Sequence, residues 1–204
     1  MNSDVNPIKE RIRAIIRDRR SNLSGDVQET CAEVLCDNLT EYVTGELGLD
    51  LADVRIASYM PVFGEISTIP FCRKVIEKGG TVMMPRVEDP RIVFYEVSDL
   101  DQDLKPGRFG IPEPVDTLTA GDPRSCDMVI VPAIAFNDEG IRLGQGGGYY
   151  DRLWEYLDGE SPDRKVMIVG VCYDFQIVSS IPVEAHDMTA DVLFEVSTEE
   201  EHEE

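Results

Sequence analysis

Four glycines fall within five positions of the stretch RLGQGGGYYDR, at Gly144, Gly146, Gly147 and Gly148, with Arg142 just before them and Tyr149, Tyr150 and Asp151 just after. A glycine in regular structure costs about 0.5–1 kcal/mol relative to alanine. The stretch therefore either makes a turn that other residues cannot make or lets a ligand approach bare backbone. Successive exposed N–H groups ahead of a helix start form a concavity suited to phosphate, and spacing alone leaves that reading and the structural turn both open. The stretch matches neither familiar nucleotide loop. No Lys-Ser or Lys-Thr follows the glycines, as a P-loop requires, and Tyr149 stands where G-x-G-x-x-G needs its last glycine.

Other residues are read in the same two-sided way. Asp151 falls in the first turn of the helix expected after the glycines, where the helix dipole favours a carboxylate by about 0.3–1 kcal/mol. Beside a phosphate cradle, the same carboxylate can hold Mg²⁺ against phosphate oxygens. Arg142 is either a surface cation or the group that balances charge on a transferred phosphate. Lys9 and Arg13 lie one helical turn apart, a like-charge pair that costs about 0.2–0.5 kcal/mol and that either stays solvated or meets a polyphosphate. Glu65, in YMPVFGEIST, follows a strand, where ligands of open α/β sheets bind. It is either a helix-start glutamate or an acceptor for the N–H groups of a heterocycle.

The elements that must position these residues follow from periodicity. Ile8, Ile12, Ile15 and Ile16 recur at helical spacing after Pro7, which predicts a basic amphipathic helix, and GDVQETCAEVLCDNLTEYV predicts a second. TIPFCRKVIEKGG reads as a helix bounded by Pro70 and Gly79, and YYDRLWEYL as one that buries Tyr150, Leu153, Trp154 and Leu157. Strands are expected at VRIASYM, TVMMP, RIVFYEVS, DMVIVPAIAF, KVMIVGVCY and DVLFEV, with DMVIVPAIAF central, whereas KPGRFGIPEPVD reads as irregular loop. Alternating helices and apolar strands indicate an α/β domain whose mostly parallel sheet is covered on both faces. It is expected as one domain over residues 1–196, with an acidic tail at 197–204.

Composition narrows the function classes. The 204 residues can bury a sizeable core, and no apolar run approaches the length that crosses a bilayer. With no signal-like apolar core at the start, a cytoplasmic enzyme or binding protein is expected. The formal net charge of -21 argues against a nucleic-acid surface, yet six Lys or Arg stand against three acids in the first 25 residues. An acidic chain that binds an anion must concentrate its few cations locally. Five cysteines without a C-x-x-C pair read as buried thiols, and two histidines exclude a histidine-rich metal site, leaving a hard, oxygen-bound metal such as Mg²⁺.

Taken together, the residues resemble the 5-formyltetrahydrofolate cyclo-ligase family, also called 5,10-methenyltetrahydrofolate synthetases. FNDEGIRLGQGGGYYDR is similar to the family signature almost position for position, and KERIR, YMPVFGEIST, FGIPEP and PVEAHDMTADVL follow in family order over nearly the whole chain. The resemblance implies a Rossmann-like three-layer α/β/α sandwich, the architecture of certain sugar-phosphate isomerases and CoA transferases. It also implies an ATP- and Mg²⁺-dependent closure of 5-formyltetrahydrofolate to 5,10-methenyltetrahydrofolate by a monomer or weak dimer. On this likeness Lys9 and Arg13 contact ATP phosphates, and the backbone of Arg142, Leu143, Gly144, Gln145, Gly146, Gly147, Gly148, Tyr149 and Tyr150 wraps the triphosphate. Asp151 and Asp187 are the carboxylates around Mg²⁺. Met60, Glu65 and Phe109 line the folate site, with Gln145 to Tyr149 between the two ligands, and Arg142, Tyr149 and Asp151 are assigned to catalysis. Phe109 stands where some members have tryptophan, and Gly147 where some have lysine. Two readings compete: a nucleotide- or folate-binding relative without ring closure, which would lack the cations and carboxylate present here, and a sugar-phosphate isomerase, which needs an acid/base pair the sequence does not offer.

Overall fold

The computed structural model describes residues 6–158, 166–182 and 188–199. The strands are β1 (Arg55–Ala57), β2 (Thr81–Glu88), β3 (Arg91–Val97), β4 (Leu104–Pro106), β5 (Pro112–Pro114), β6 (Ala120–Gly121), β7 (Met128–Pro132), β8 (Ala135–Phe136), β9 (Arg142–Leu143), β10 (Met167–Tyr173) and β11 (Val192–Val196). The α-helices are α1 (Pro7–Ser21), α2 (Gly25–Glu41), α3 (Ile69–Lys78) and α4 (Tyr149–Asp158). Among the described residues seven strands form one sheet in the order β11-β10-β7-β1-β2-β3-β6. The pairings from β11 to β2 are parallel, and β3 and β6 add antiparallel strands at one edge.

Side-chain alternation along the strands builds two cores on opposite faces of this sheet. In β7, Met128 and Ile130 join a cluster with Leu35 and Leu39 of α2 and Phe71 and Val75 of α3, whereas Val129 and Val131 join a cluster with Leu153 of α4. In β2, Val82 and Met84 face the first cluster and Met83 the second. All five residues of β7 are buried, the pattern of a strand covered on both faces. This is the mixed α/β architecture with helices on either side of a mostly parallel sheet that the sequence predicts.

The structure corrects three details. KPGRFGIPEPVD is not wholly irregular: β4 and β5 pair within it as an antiparallel ribbon around a 3₁₀ turn at Arg108–Gly110. Proline is tolerated there because the ribbon has free edges. β2 extends beyond TVMMP to Glu88 and meets β3 in antiparallel register, from Val82 opposite Val97 to Glu88 opposite Arg91. DMVIVPAIAF is interior as expected, paired with β1 on one side and β10 on the other, but it is not one continuous strand: it breaks after Pro132 before a short β8.

Two features position the site. The chain leaves the carboxyl ends of β1 and β7 at one edge of the sheet, the edge where ligands of open α/β sheets bind. There β8 and β9 pair into a small ribbon, and Ile12 and Ile16 of α1 pack onto it with Ile134, Ala135, Leu143 and Ile181. Asn6 caps α1, its side-chain oxygen accepting from the Ile8 N–H at 3.0 Å. All five cysteines are buried and free, and among the described residues no helix is long and apolar enough to cross a membrane.

Candidate functional site

The loop that carries the glycines is tied down before it reaches them. Asn137 Oδ1 accepts from the Ile141 N–H at 2.8 Å, shaping the NDEG turn, and the Arg142 N–H donates to Met188 O at 2.9 Å. The Arg142 guanidinium then turns inward. Its Nε donates to Pro132 O at 2.7 Å, its carbon lies 4.5 Å from the centre of the Tyr150 ring, and Nη1 lies 3.8 Å from Asp151 Oδ1. The side chain is only 4% exposed, against 37% for Asp151, so the surface-cation reading of Arg142 is excluded. Burial raises the hydroxyl pKa of Tyr150 despite the cation beside it.

Between these anchors the backbone does what only glycine does readily. Gly146 and Gly148 have φ of 98° and 69°, in the left-handed region. A Cβ on Gly148 would sit 2.7 Å from Arg152 Nη1. Gly147 is not left-handed, but a Cβ there would meet the Tyr149 ring at 3.1 Å. The structural-turn reading therefore holds at Gly146 and Gly148, and the three glycines in a row leave bare backbone beside Gln145 on the cavity wall.

Helix α1 brings its cations to the other flank of the loop. Arg13 Nε donates to Gly144 O at 2.9 Å, and Arg17 Nη2 donates to Gln145 Oε1 at 2.9 Å. Lys9, one turn earlier, is buried. Lys9, Arg13 and Arg17 thus continue one i, i+4, i+8 face, and extending the Lys9–Arg13 spacing by one turn would have found Arg17.

Glu65 closes the third side. It is 8% exposed, accepts from the Val62 N–H at 3.2 Å and from Gln145 Nε2 at 3.3 Å, and lies 3.6 Å from Arg20 Nη1. The Arg20 side chain is fully buried, and its three guanidinium nitrogens make no hydrogen bond among the described residues. Burial raises the Glu65 carboxyl pKa, with Arg20 opposing that rise, and burial lowers the Arg20 value. The sequence reading passed over Arg20, although it continues the apolar stripe Ile8, Ile12 and Ile16 at the next i+4 position. A charge on a buried stripe requires a partner, and that was the available signal.

These groups surround a cavity of about 330 Å³. Met60, Glu65, Arg142, Gly144, Gln145, Gly146, Gly147, Gly148, Tyr149, Tyr150 and Asp151 all line it. Lys9 and Arg13 do not, since they stand behind the loop on the α1 side. Leu143 is also outside: it is 1% exposed in the cluster under α1, and its carbonyl accepts from the Ile134 N–H at 2.8 Å. Asp187 and the Phe109 side chain lie outside the described residues. Among the walls that were unforeseen are Phe63, Tyr59, whose hydroxyl donates to Ile66 O, and Glu113, which accepts from the Val87 N–H at 3.3 Å. Among the described residues no cluster of three His, Cys, Asp or Glu side chains is arranged to hold a metal.

Comparison with known proteins points the same way as the geometry. A sequence model described as the 5-formyltetrahydrofolate cyclo-ligase family matches residues 5–199. The chain is similar to the 5-formyltetrahydrofolate cyclo-ligase of Saccharomyces cerevisiae, 32% identical over 68% of this chain and 74% of the yeast protein. The Haemophilus influenzae enzyme of the same name is 30% identical over 88% of this chain and 93% of its own. Among solved structures, the NMR structure of Aquifex aeolicus 5,10-methenyltetrahydrofolate synthetase superposes with a TM-score of 0.76 at 33% identity, covering 95% of this chain and 91% of that one.

Proposed function

The chain belongs to the 5-formyltetrahydrofolate cyclo-ligase family, ligases of folate metabolism, and we propose that it converts 5-formyltetrahydrofolate to 5,10-methenyltetrahydrofolate with ATP and Mg²⁺, releasing ADP and phosphate. The observation that carries this reading is the contact between Gln145 and Glu65, 3.3 Å apart, which joins a loop built for phosphate to a buried acceptor for a heterocycle on one cavity wall. A cavity of about 330 Å³ is small for two ligands, so the folate occupies it while the triphosphate lies along the glycines toward Arg13 and Lys9.

The chemistry follows from what the formyl group lacks. Its oxygen is a poor leaving group, so it first attacks the γ-phosphorus of ATP, forming a C–O–P linkage as the bond to ADP breaks. The folate N10 then adds to the activated carbon and loses its proton, and the C–O bond breaks to expel phosphate. Little covalent work falls to the protein, which positions the reactants and neutralises charge. Arg142 offers a fixed buried cation to the transferring phosphoryl group, the loop N–H groups cradle its oxygens, and ionised Glu65 accepts from the pterin N–H groups. Tyr149 lies between the ligands, and Met60 and Phe109 border the folate.

The donors fit Mg²⁺, which takes one or two carboxylates and completes its shell with water and phosphate oxygens: Asp151 stands at the loop, with Asp187 as the second candidate. When bound, the ion neutralises charge on the phosphates. Asp151→Asn should reduce Mg²⁺-supported turnover and raise the Mg²⁺ requirement while leaving folate binding within about twofold, since Glu65 is untouched and Arg142 keeps its bond to Pro132 O; an unchanged Mg²⁺ titration rejects the role. The reading treats residues 1–196 as one catalytic unit acting in the cytoplasm on small molecules. Purified protein mixed with 5-formyltetrahydrofolate, ATP and Mg²⁺ should develop the near-ultraviolet absorbance of the methenyl product. Folded protein that yields none at any Mg²⁺ concentration sinks the proposal.

A further inference from the structure

Among the described residues that carry a side chain, Phe63 is the one with left-handed φ, 51°, and Gly64 follows it at 72°. The Glu65 N–H donates to Val62 O at 3.0 Å, closing the two into a turn. Positive φ at both central positions defines a type I′ turn, whose first position favours Asn, Asp or Gly. A bulky ring there is a backbone outlier. Gly64 has its own reason to be glycine, since a Cβ would sit 3.1 Å from the Arg20 carbonyl oxygen. Phe63 has none within the fold. It is 74% exposed, the most exposed large apolar side chain among the described residues, and no aromatic or cationic group stacks on it there.

The ring nevertheless stands on the cavity wall between Met60 and Glu65. Strain that the surrounding fold does not use is kept where a ligand uses it, and an exposed ring on a tight turn is an aromatic surface held in place before binding. We propose that Phe63 is a substrate-contacting residue that covers the flat pyrimidine ring of the reduced pterin seated against Met60 and Glu65, and so selects a ligand that presents one flat ring there. This rests on the cavity being the folate half of the site, as argued above.

The turn chemistry gives the test an unusual sign. Phe63→Asn puts a favoured residue into the turn, so the melting temperature should rise by about 2–4 °C. The KM for 5-formyltetrahydrofolate should rise about tenfold, the size of one lost stacking contact, with the KM for ATP unchanged. Phe63→Tyr should keep wild-type folate affinity. An unchanged folate KM in Phe63→Asn overturns the proposal whatever the melting temperature does, and so does an equal rise in the KM for ATP, which would put the ring on the nucleotide side. Direct titration with 5-formyltetrahydrofolate separates the two readings. A wild type that binds the folate more tightly than Phe63→Asn but turns nothing over contradicts the proposed reaction alone, whereas equal binding by both proteins contradicts the role of Phe63 alone.

Discussion

Replacing Arg142 by methionine should lower kcat by about 10³-fold or more, because an arginine facing a transferring phosphoryl group is worth about 10³–10⁵ in rate. The substitution is chosen to preserve the fold. Methionine approximates the length of the lost side chain and can still pack on Tyr150. Asp151, its ion-pair partner at 3.8 Å, is 37% exposed and can be solvated when the guanidinium is gone. The stability loss should include the hydrogen bond to Pro132 O, about 1.5–3 kcal/mol for a charged donor. Arg142→Lys should recover part of the rate, since it restores charge without the planar fork that reaches Pro132 O and Tyr150 together. Single-turnover rates and thermal unfolding of both variants check this. A loss in kcat below tenfold in folded Arg142→Met removes Arg142 from the chemistry.

Glu65→Ala should show a different profile, losing folate affinity and stability together. The carboxylate is the one ion-pair partner of fully buried Arg20 among the described residues, at 3.6 Å, and the guanidinium makes no hydrogen bond there. Removing one member of a buried pair costs about 3–5 kcal/mol because the other charge is stranded. Replacing both, as Arg20→Met with Glu65→Leu, should restore much of the stability and none of the activity. The pH dependence has a definite sign. The folded-state pKa of Glu65 lies above its unfolded value, so between the two the folded state holds the extra proton, and this group's contribution to stability falls as pH rises through that window and is constant above it. Arg20→Met removes the influence that opposes the rise. The pH below which folate binding weakens should therefore move upward, a shift that a merely structural Arg20 would not produce. Equal stability of Glu65→Ala and wild type would break the account of the pair.

The proposed phosphate side of this site is legible in the sequence because its residues are nearly contiguous: Arg142 and every residue from Gly144 to Asp151 reach one cavity by local chain path alone, and the glycines advertise it. Glu65 was legible from its position after a strand. Arg20 was harder to see because its importance lies in depth, which composition does not report, although its place on the Ile8–Ile12–Ile16 stripe hinted at it. Phe63 was hidden for a different reason. A Phe-Gly pair is not a recognised signal for a type I′ turn, so the strain appears only when φ is known. Periodicity gave the strands but not their direction, which is why the antiparallel pairing of β2 and β3 had to come from the structure, and Pro and Gly masked the β4–β5 ribbon.

The central claim is that ATP activates the formyl oxygen as a phosphate ester before N10 closes the ring over the glycine loop. The most direct test is to give the enzyme 5-formyltetrahydrofolate labelled with ¹⁸O in the formyl group, together with ATP and Mg²⁺, and to follow the label. One ¹⁸O should appear in each inorganic phosphate released, matched one to one with methenyl product and ADP. Product formed with the label in water instead of phosphate would contradict the account.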